Sequence, residues 1–159
     1  MILALIVYAV AMTLANLLVL KFGPAVTPIN AFILIGLDLT LRDWLHVRLR
    51  PWQMGALIAG AGLLTLALNP AAQNIAIASA VAFMVSGLVD WLVFAKSGGS
   101  WAARSLKSNV AGAAVDSLIF PTLAFGALMP AIVAMQFVAK VAGGAVWAFL
   151  LSRFKTEAA

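Results

Sequence analysis

The stretch from Ser105 to Pro121 puts a carboxylate inside an apolar run, and few folds tolerate that. Behind Lys107 the chain runs mostly apolar for about 20 residues, enough to span a bilayer as a helix. Asp116 lies eight residues beyond Ser108, about 12 Å along a helix that rises 1.5 Å per residue. In hydrocarbon a charged side chain at that depth costs roughly 3 kcal/mol or more, so the carboxylate must face protein, water or a ligand. Pro121 then removes a backbone N–H and frees the carbonyl of Ser117. A freed carbonyl survives in a membrane only beside a cavity or another polar group. Acid, hydroxyl and carbonyl therefore meet at one depth, as a substrate site requires.

Composition agrees. Of 159 residues, 65% are hydrophobic and 9% are charged, which excludes a soluble globular domain and indicates an all-α integral membrane protein. The length suits one bundle over residues 1–159. There is no cysteine, so no disulfide or thiol chemistry is expected, and with His46 as the single histidine neither is a transition-metal site or any other cofactor. The net charge of +5 has no soluble surface on which to bind nucleic acid; it reads as a topology signal and as contact with anionic lipid. The N-terminus is apolar from Ile2 and lacks the basic start and small-residue cleavage site of a signal peptide, so it reads as a mature helix. No nucleophile–base arrangement and no Gly-rich phosphate loop is present, so an enzyme is not expected.

Six spans are predicted, at about 1–20, 28–49, 51–68, 70–95, 108–127 and 130–152. Gly23-Pro24 marks the first turn. Thr27-Pro28 and Asn69-Pro70 read as N-cap plus proline at the first helical position. Residues 101–107 read as an interfacial segment. The apolar runs are too long, and too free of alternation, for strands. Arg42, Arg48, Arg50, Lys96, Arg104, Lys107, Arg153 and Lys155 fall on one side of this scheme, and only Lys21 marks the other. The positive-inside rule then puts both termini in the cytoplasm.

Asn16, Asp38, Asp90, Asp116, Gln136 and Lys140 lie within the predicted spans, and each needs a partner. At helical spacing Asp116 is flanked by Asn109, Gly112, Ala113 and Phe120. Lys140 is flanked by Gln136, Gly143, Gly144 and Trp147, and Asp90 by Phe83, Ser86, Gly87 and Phe94. These small, polar and aromatic faces should converge on one interior. Lys140 and Asp116 share a depth, which fits a structural ion pair as well as a gated site. Asp38 precedes Arg42 by four residues and reads as a helix-surface pair near the interface. Asp90 could reach the interior or the cations near Lys96. Trp44, Trp52 and Trp101 read as an aromatic belt.

Ala15-Asn16 with Lys21, an aspartate late in the second span, Ala78-Ser79 with Asp90, Arg104 with Ser108-Asn109, Asp116-Ser117 with Phe120 and Ala124-Phe125, and Lys140 together resemble the queuosine precursor transporter family, also called the vitamin uptake transporter family. The likeness covers most of the chain and is strongest from Ala78 to Phe125. Where the family has Asp, Glu and Tyr-Gly after the second helix, this chain has Asp38, Arg42, Asp43, Trp44 and His46. The resemblance implies a bacterial inner-membrane carrier with six helices that imports 7-deazaguanine bases such as preQ0, preQ1 or queuine. The donor edge of such a base suits Asp116 or Asp90, and its carbonyl oxygen suits Lys140, Asn16 or Gln136. Its flat ring suits Phe120 and Trp147. Ser117 and Asn109 complete the candidate set. The expected partners are the base and the bilayer, with a homo-oligomer left open and no nucleic acid.

Two alternatives stand beside this reading. One is a vitamin- or nucleobase-binding subunit that needs a separate ATPase module, docked through Ala11 and Ala15 as a small-x-x-x-small stripe. The other is a structural membrane protein without a ligand. For topology the expected result is definite: reporters fused at Ala159 and at Asn69 lie on opposite sides of the membrane, with the Ala159 reporter active only in the cytoplasm.

Overall fold

The computed structural model describes residues 1–46, 48–68 and 70–153. Asn69, Lys155 and the side chains of His46 and Arg153 lie outside that description. Among the described residues every regular element is helical. Helix α1 is Ile2–Phe22; a 3₁₀ turn, Gly23–Val26, leads into α2, Thr27–Asn30. A π-helical turn at Ala31–Ile35 joins α2 to α3, Gly36–His46. Helix α4 is Pro51–Leu68. A 3₁₀ turn at Pro70–Ala72 precedes α5, Gln73–Lys96, and then come α6, Trp101–Phe125, and α7, Pro130–Arg153.

Four helical stretches are long and apolar enough to cross a membrane: Ile2–Leu45, Pro70–Lys96, Trp101–Phe125 and Pro130–Leu151, with a shorter apolar helix at Trp52–Thr65. The first has 44 residues, roughly 66 Å if straight, about twice a bilayer core. It is folded back on itself. Gly23 has φ 67°, a left-handed value that glycine takes without a Cβ penalty, and its N–H closes α1 on the Val19 carbonyl. Asn30 Nδ2 then donates to the Ala15 carbonyl at 3.0 Å, a contact that a straight helix could never make across 15 residues.

Several local expectations change. Thr27 does not cap a helix with its side chain; its hydroxyl donates back to the Pro24 carbonyl at 2.7 Å. The preceding 3₁₀ turn runs straight into α2, so the first amides already have carbonyl acceptors. The segment 101–107, expected as a separate stretch before the fifth span, forms the first two turns of α6. Ser100 caps it, its Oγ accepting from the Ala103 N–H at 3.3 Å. Arg104 secures the neighbouring helix end: it stacks on Phe94 at 4.1 Å and donates Nε and Nη2 to the Phe94 carbonyl at 3.1 and 3.0 Å. Helix α6 ends at Gly126, again left-handed at φ 71°.

The bundle is apolar outside, and inside it buries charged and polar side chains beside an apolar core of Tyr8, Met12, Leu39 and Leu45. Ile2, Leu3, Ile6, Val10, Leu88, Val138 and Phe149 are exposed, while Asp38, Arg42, Asp43, Asp90, Asn109, Asp116, Gln136 and Lys140 are buried. Asp38 and Arg42 are therefore no surface pair: the helix turns that face inward, where Tyr8 lies beside Asp38. Ala11 and Ala15 are buried as well, so that stripe packs within the bundle instead of offering an outer docking face.

The tightest helix crossing lies between the π turn with α3 and α7. A Cβ at Gly36 would stand 2.7 Å from the Gly143 carbonyl carbon, and one at Gly143 would overlap the Phe32 carbonyl. Thr40 Oγ1 faces the Gly36 and Gly144 carbonyls at 3.0 and 3.2 Å. In the π turn the Ile33 carbonyl accepts from the Gly36 N–H, and across the crossing it also takes the Trp147 indole N–H at 3.1 Å. Gly143→Ala should cost about 1–3 kcal/mol through overpacking. Gly60→Ala, whose Cβ meets nothing within 4 Å, should stay within about 0.5 kcal/mol of the parent. Thermal unfolding in detergent compares the two.

Candidate functional site

Lys140 is the least expected residue of α7, because apart from Gln136 its neighbours along the helix are small or apolar. It is 1% exposed. Its Nζ donates to Asp116 Oδ2 at 2.6 Å and to Gln136 Oε1 at 2.8 Å. Helical spacing places Gln136 one turn below Lys140 on the same face, and the α6–α7 packing brings Asp116 opposite both. Ser117 Oγ and Gln136 Nε2 are buried with no hydrogen-bond partner among the described residues. A buried polar atom without a partner is costly in a protein interior and marks a place where a ligand or water can bind.

This pair forms one wall of a cavity. Asn16 and Val19 come from α1, Thr27 and Asn30 from α2, Ser79 and Phe83 from α5, and Phe120 stands beside Asp116 on α6. Only about 20 Å³ is open to the centre of a water molecule, room for one or two waters. A flat bicyclic base needs the helices to part. Asn16 Nδ2 also reaches Thr65 Oγ1 on α4 at 3.4 Å, which ties the cavity wall to the helix behind it.

Of the sequence-predicted residues, Asp116, Lys140, Asn16 and Phe120 share this cavity, Gln136 joins through Lys140, and Ser117 follows Asp116 in the chain. The other three lie elsewhere. Asn109 Nδ2 sits between Thr40 Oγ1 and Ser105 Oγ, both at 3.5 Å, and packs on Gly144 at the helix crossing. Trp147 holds the π turn. Asp90 faces Arg42, its Oδ2 3.7 Å from Nε, while Arg42 Nη1 donates to the Phe83 carbonyl at 3.2 Å. Asp43 accepts from Ser105 Oγ at 2.5 Å and from Ser108 Oγ at 3.2 Å. Thr27 and Asn30 were not foreseen in the cavity. A lone amide between Ile29 and Ala31 in an apolar helix was the signal that could have found Asn30.

The pair's energetics follow from its burial. Removing one partner strands the other charge, at about 3–5 kcal/mol; replacing both by neutral groups of similar size is close to neutral. Lys140→Met alone should lower stability by that amount, and Lys140→Met with Asp116→Asn should recover most of it, as read from unfolding in detergent.

The comparisons with known proteins point to one family. Residues 1–152 match the family model described as "Putative vitamin uptake transporter". No curated protein and no solved structure matches the chain. The match extends from the first helix nearly to the end of α7, and so covers every element that lines the cavity. With its apolar helices and inward-facing charges, the chain belongs to the vitamin uptake transporter family.

Proposed function

We propose that the chain imports a queuosine precursor, a 7-deazaguanine base, across the bacterial inner membrane. It does so through six crossings with both termini cytoplasmic: α1, the α2–α3 rod, and α4 to α7. The observation that carries this reading is the buried Asp116–Lys140 pair, backed by Gln136, in one cavity with Asn16 and Phe120. Asp116 accepts from the base's N1–H and amino group. Lys140, Asn16 and the unpaired Gln136 amide serve its carbonyl oxygen, and Phe120 covers the ring face.

The ion pair gives the bundle a reason to move. Lys140 and Asp116 hold α6 and α7 together. A base that takes the carboxylate loosens the pair and frees the ammonium to turn to the base's carbonyl, so binding and opening share one equilibrium. The chain acts as a transporter and carries out no chemical step on its substrate. Against a subunit that needs an ATPase module, the buried Ala11–Ala15 stripe offers no docking face.

Uptake of labelled base by the chain alone, in a strain that cannot make the precursor and lacks any ATPase partner module, tests the reading. Uptake is expected; none would refute self-sufficient transport. Asp116→Asn keeps the shape but loses the charge-assisted acceptor, which should weaken binding by about 1.5–3 kcal/mol, roughly tenfold or more. The folded double variant Lys140→Met with Asp116→Asn should not transport. Transport at the parental rate would reduce the pair to a structural element.

A further inference from the structure

A second and larger cavity lies between α3, α4 and α5. About 230 Å³ is open there to the centre of a water molecule, against 20 Å³ in the first. Its walls are mostly apolar, with Met54 and Ile58 on α4 and Phe83 and Trp91 on α5. Its two charged groups are Arg42 and Asp90. Both are buried. Their ion pair is loose at 3.7 Å, and Arg42 Nη2 has no hydrogen-bond partner among the described residues. Gly112 lets α6 pack close to the pair, since a Cβ there would lie 3.3 Å from Asp90 Oδ1 and 3.5 Å from Arg42 Nη2.

The two cavities share one residue. Phe83 lines both, is 2% exposed, and stands near the middle of α5. The first cavity lies toward the Gly23–Val26 turn. The second takes its α4 residues from the first two turns of that helix, beside the connection that carries Arg48 and Arg50. They therefore approach Phe83 from opposite ends of the bundle.

We infer that the Arg42–Asp90 cavity is a second station for the transported base, entered past Phe83 on the side of the cation-bearing connections. This rests on the transport reading above. The lining fits a planar, uncharged heterocycle that carries a donor edge and a carbonyl oxygen. Asp90 accepts from the donors, Arg42 Nη2 donates to the oxygen, and the rings of Phe83 and Trp91 meet the flat faces, so a few polar groups orient a ligand held by apolar walls. A lipid phosphate fits less well, because it would bring its charge against the Asp90 carboxylate. An acyl chain would leave the guanidinium unused.

Gly55 offers a clean test. It lines the second cavity from α4, and a Cβ there meets nothing within 4 Å. Gly55→Leu puts a branched side chain into the second cavity from a position that does not line the first. Gly60→Leu, on the same helix and away from either cavity, is the control. Labelled 7-deazaguanine base is offered to proteoliposomes containing the full chain. The expected result is a drop in uptake of at least tenfold for Gly55→Leu, parental uptake for Gly60→Leu, and one fewer bound base per chain by equilibrium dialysis. Parental uptake by folded Gly55→Leu overturns the second station while leaving the transport reading intact. Parental uptake together with loss of a co-purifying lipid, seen by mass spectrometry, overturns it in favour of a lipid seat. If Gly55→Leu does not fold, Leu88→Trp fills the same cavity from α5, with the same two outcomes. No uptake by the parental chain overturns the transport reading and the station with it.

Discussion

The hydrogen-bonded ion pair between Lys140 and Asp116 is the contact on which the rest of the bundle depends. A lone ammonium or carboxylate in a bilayer interior costs several kcal/mol, so each of these helices is stable at its depth only while the other stands opposite. That requirement sets the rotation of α6 and of α7 about their axes, and it leaves the apolar faces, such as Val138 and Phe149, turned outward. Gln136 adds a second acceptor to the same ammonium, from one turn away on the same helix.

The backbones come closest elsewhere, where α7 crosses the π turn and α3. Gly36 and Gly143 remove the side chains that would keep α7 away from α3 and the π turn, and Gly143 packs directly on the Phe32 carbonyl, while Gly144 gives Asn109 of α6 its room. Without a hydrophobic force between helices in lipid, such close van der Waals contact and polar bonds hold the bundle together. The π turn at Ala31–Ile35 is part of the same arrangement. It rotates the helix after Asn30, so that Asn30 meets α1 while Asp38 and Arg42 point inward, and Trp147 adds a second donor to the Ile33 carbonyl.

The interior divides into two charged regions with Phe83 between them. Around Asp116 and Lys140 the charges balance and the cavity is narrow. Around Arg42 the guanidinium faces Asp90 and shares its surroundings with Asp38 and Asp43, and the cavity is wide. Two differently sized cavities meeting at one aromatic side chain suit a carrier, in which a ligand must leave one set of partners before it gains the next.

Much of this was legible in the sequence because membrane solvation is a severe constraint. Apolar run lengths, Gly-Pro punctuation and the absence of alternation were enough for an all-helical membrane chain. The cost of burying charge was enough to single out Asp116, Lys140 and Gln136 as residues needing partners. Helical spacing alone could not decide which partner each one has, since that depends on how helices far apart in sequence are rotated against one another. So Asp38 and Arg42, four residues apart, read as a local surface pair, while tertiary packing sends Arg42 across to Asp90 and Phe83. Asn109 and Trp147 sit on the right helical faces yet serve the helix crossing, because the glycines there bring α7 close enough to use their hydrogen bonds. The sequence determined what must be buried and satisfied. Only the tertiary structure decided with what, because a partner across the bundle is set by helix rotation and close approach, and neither has a local signature.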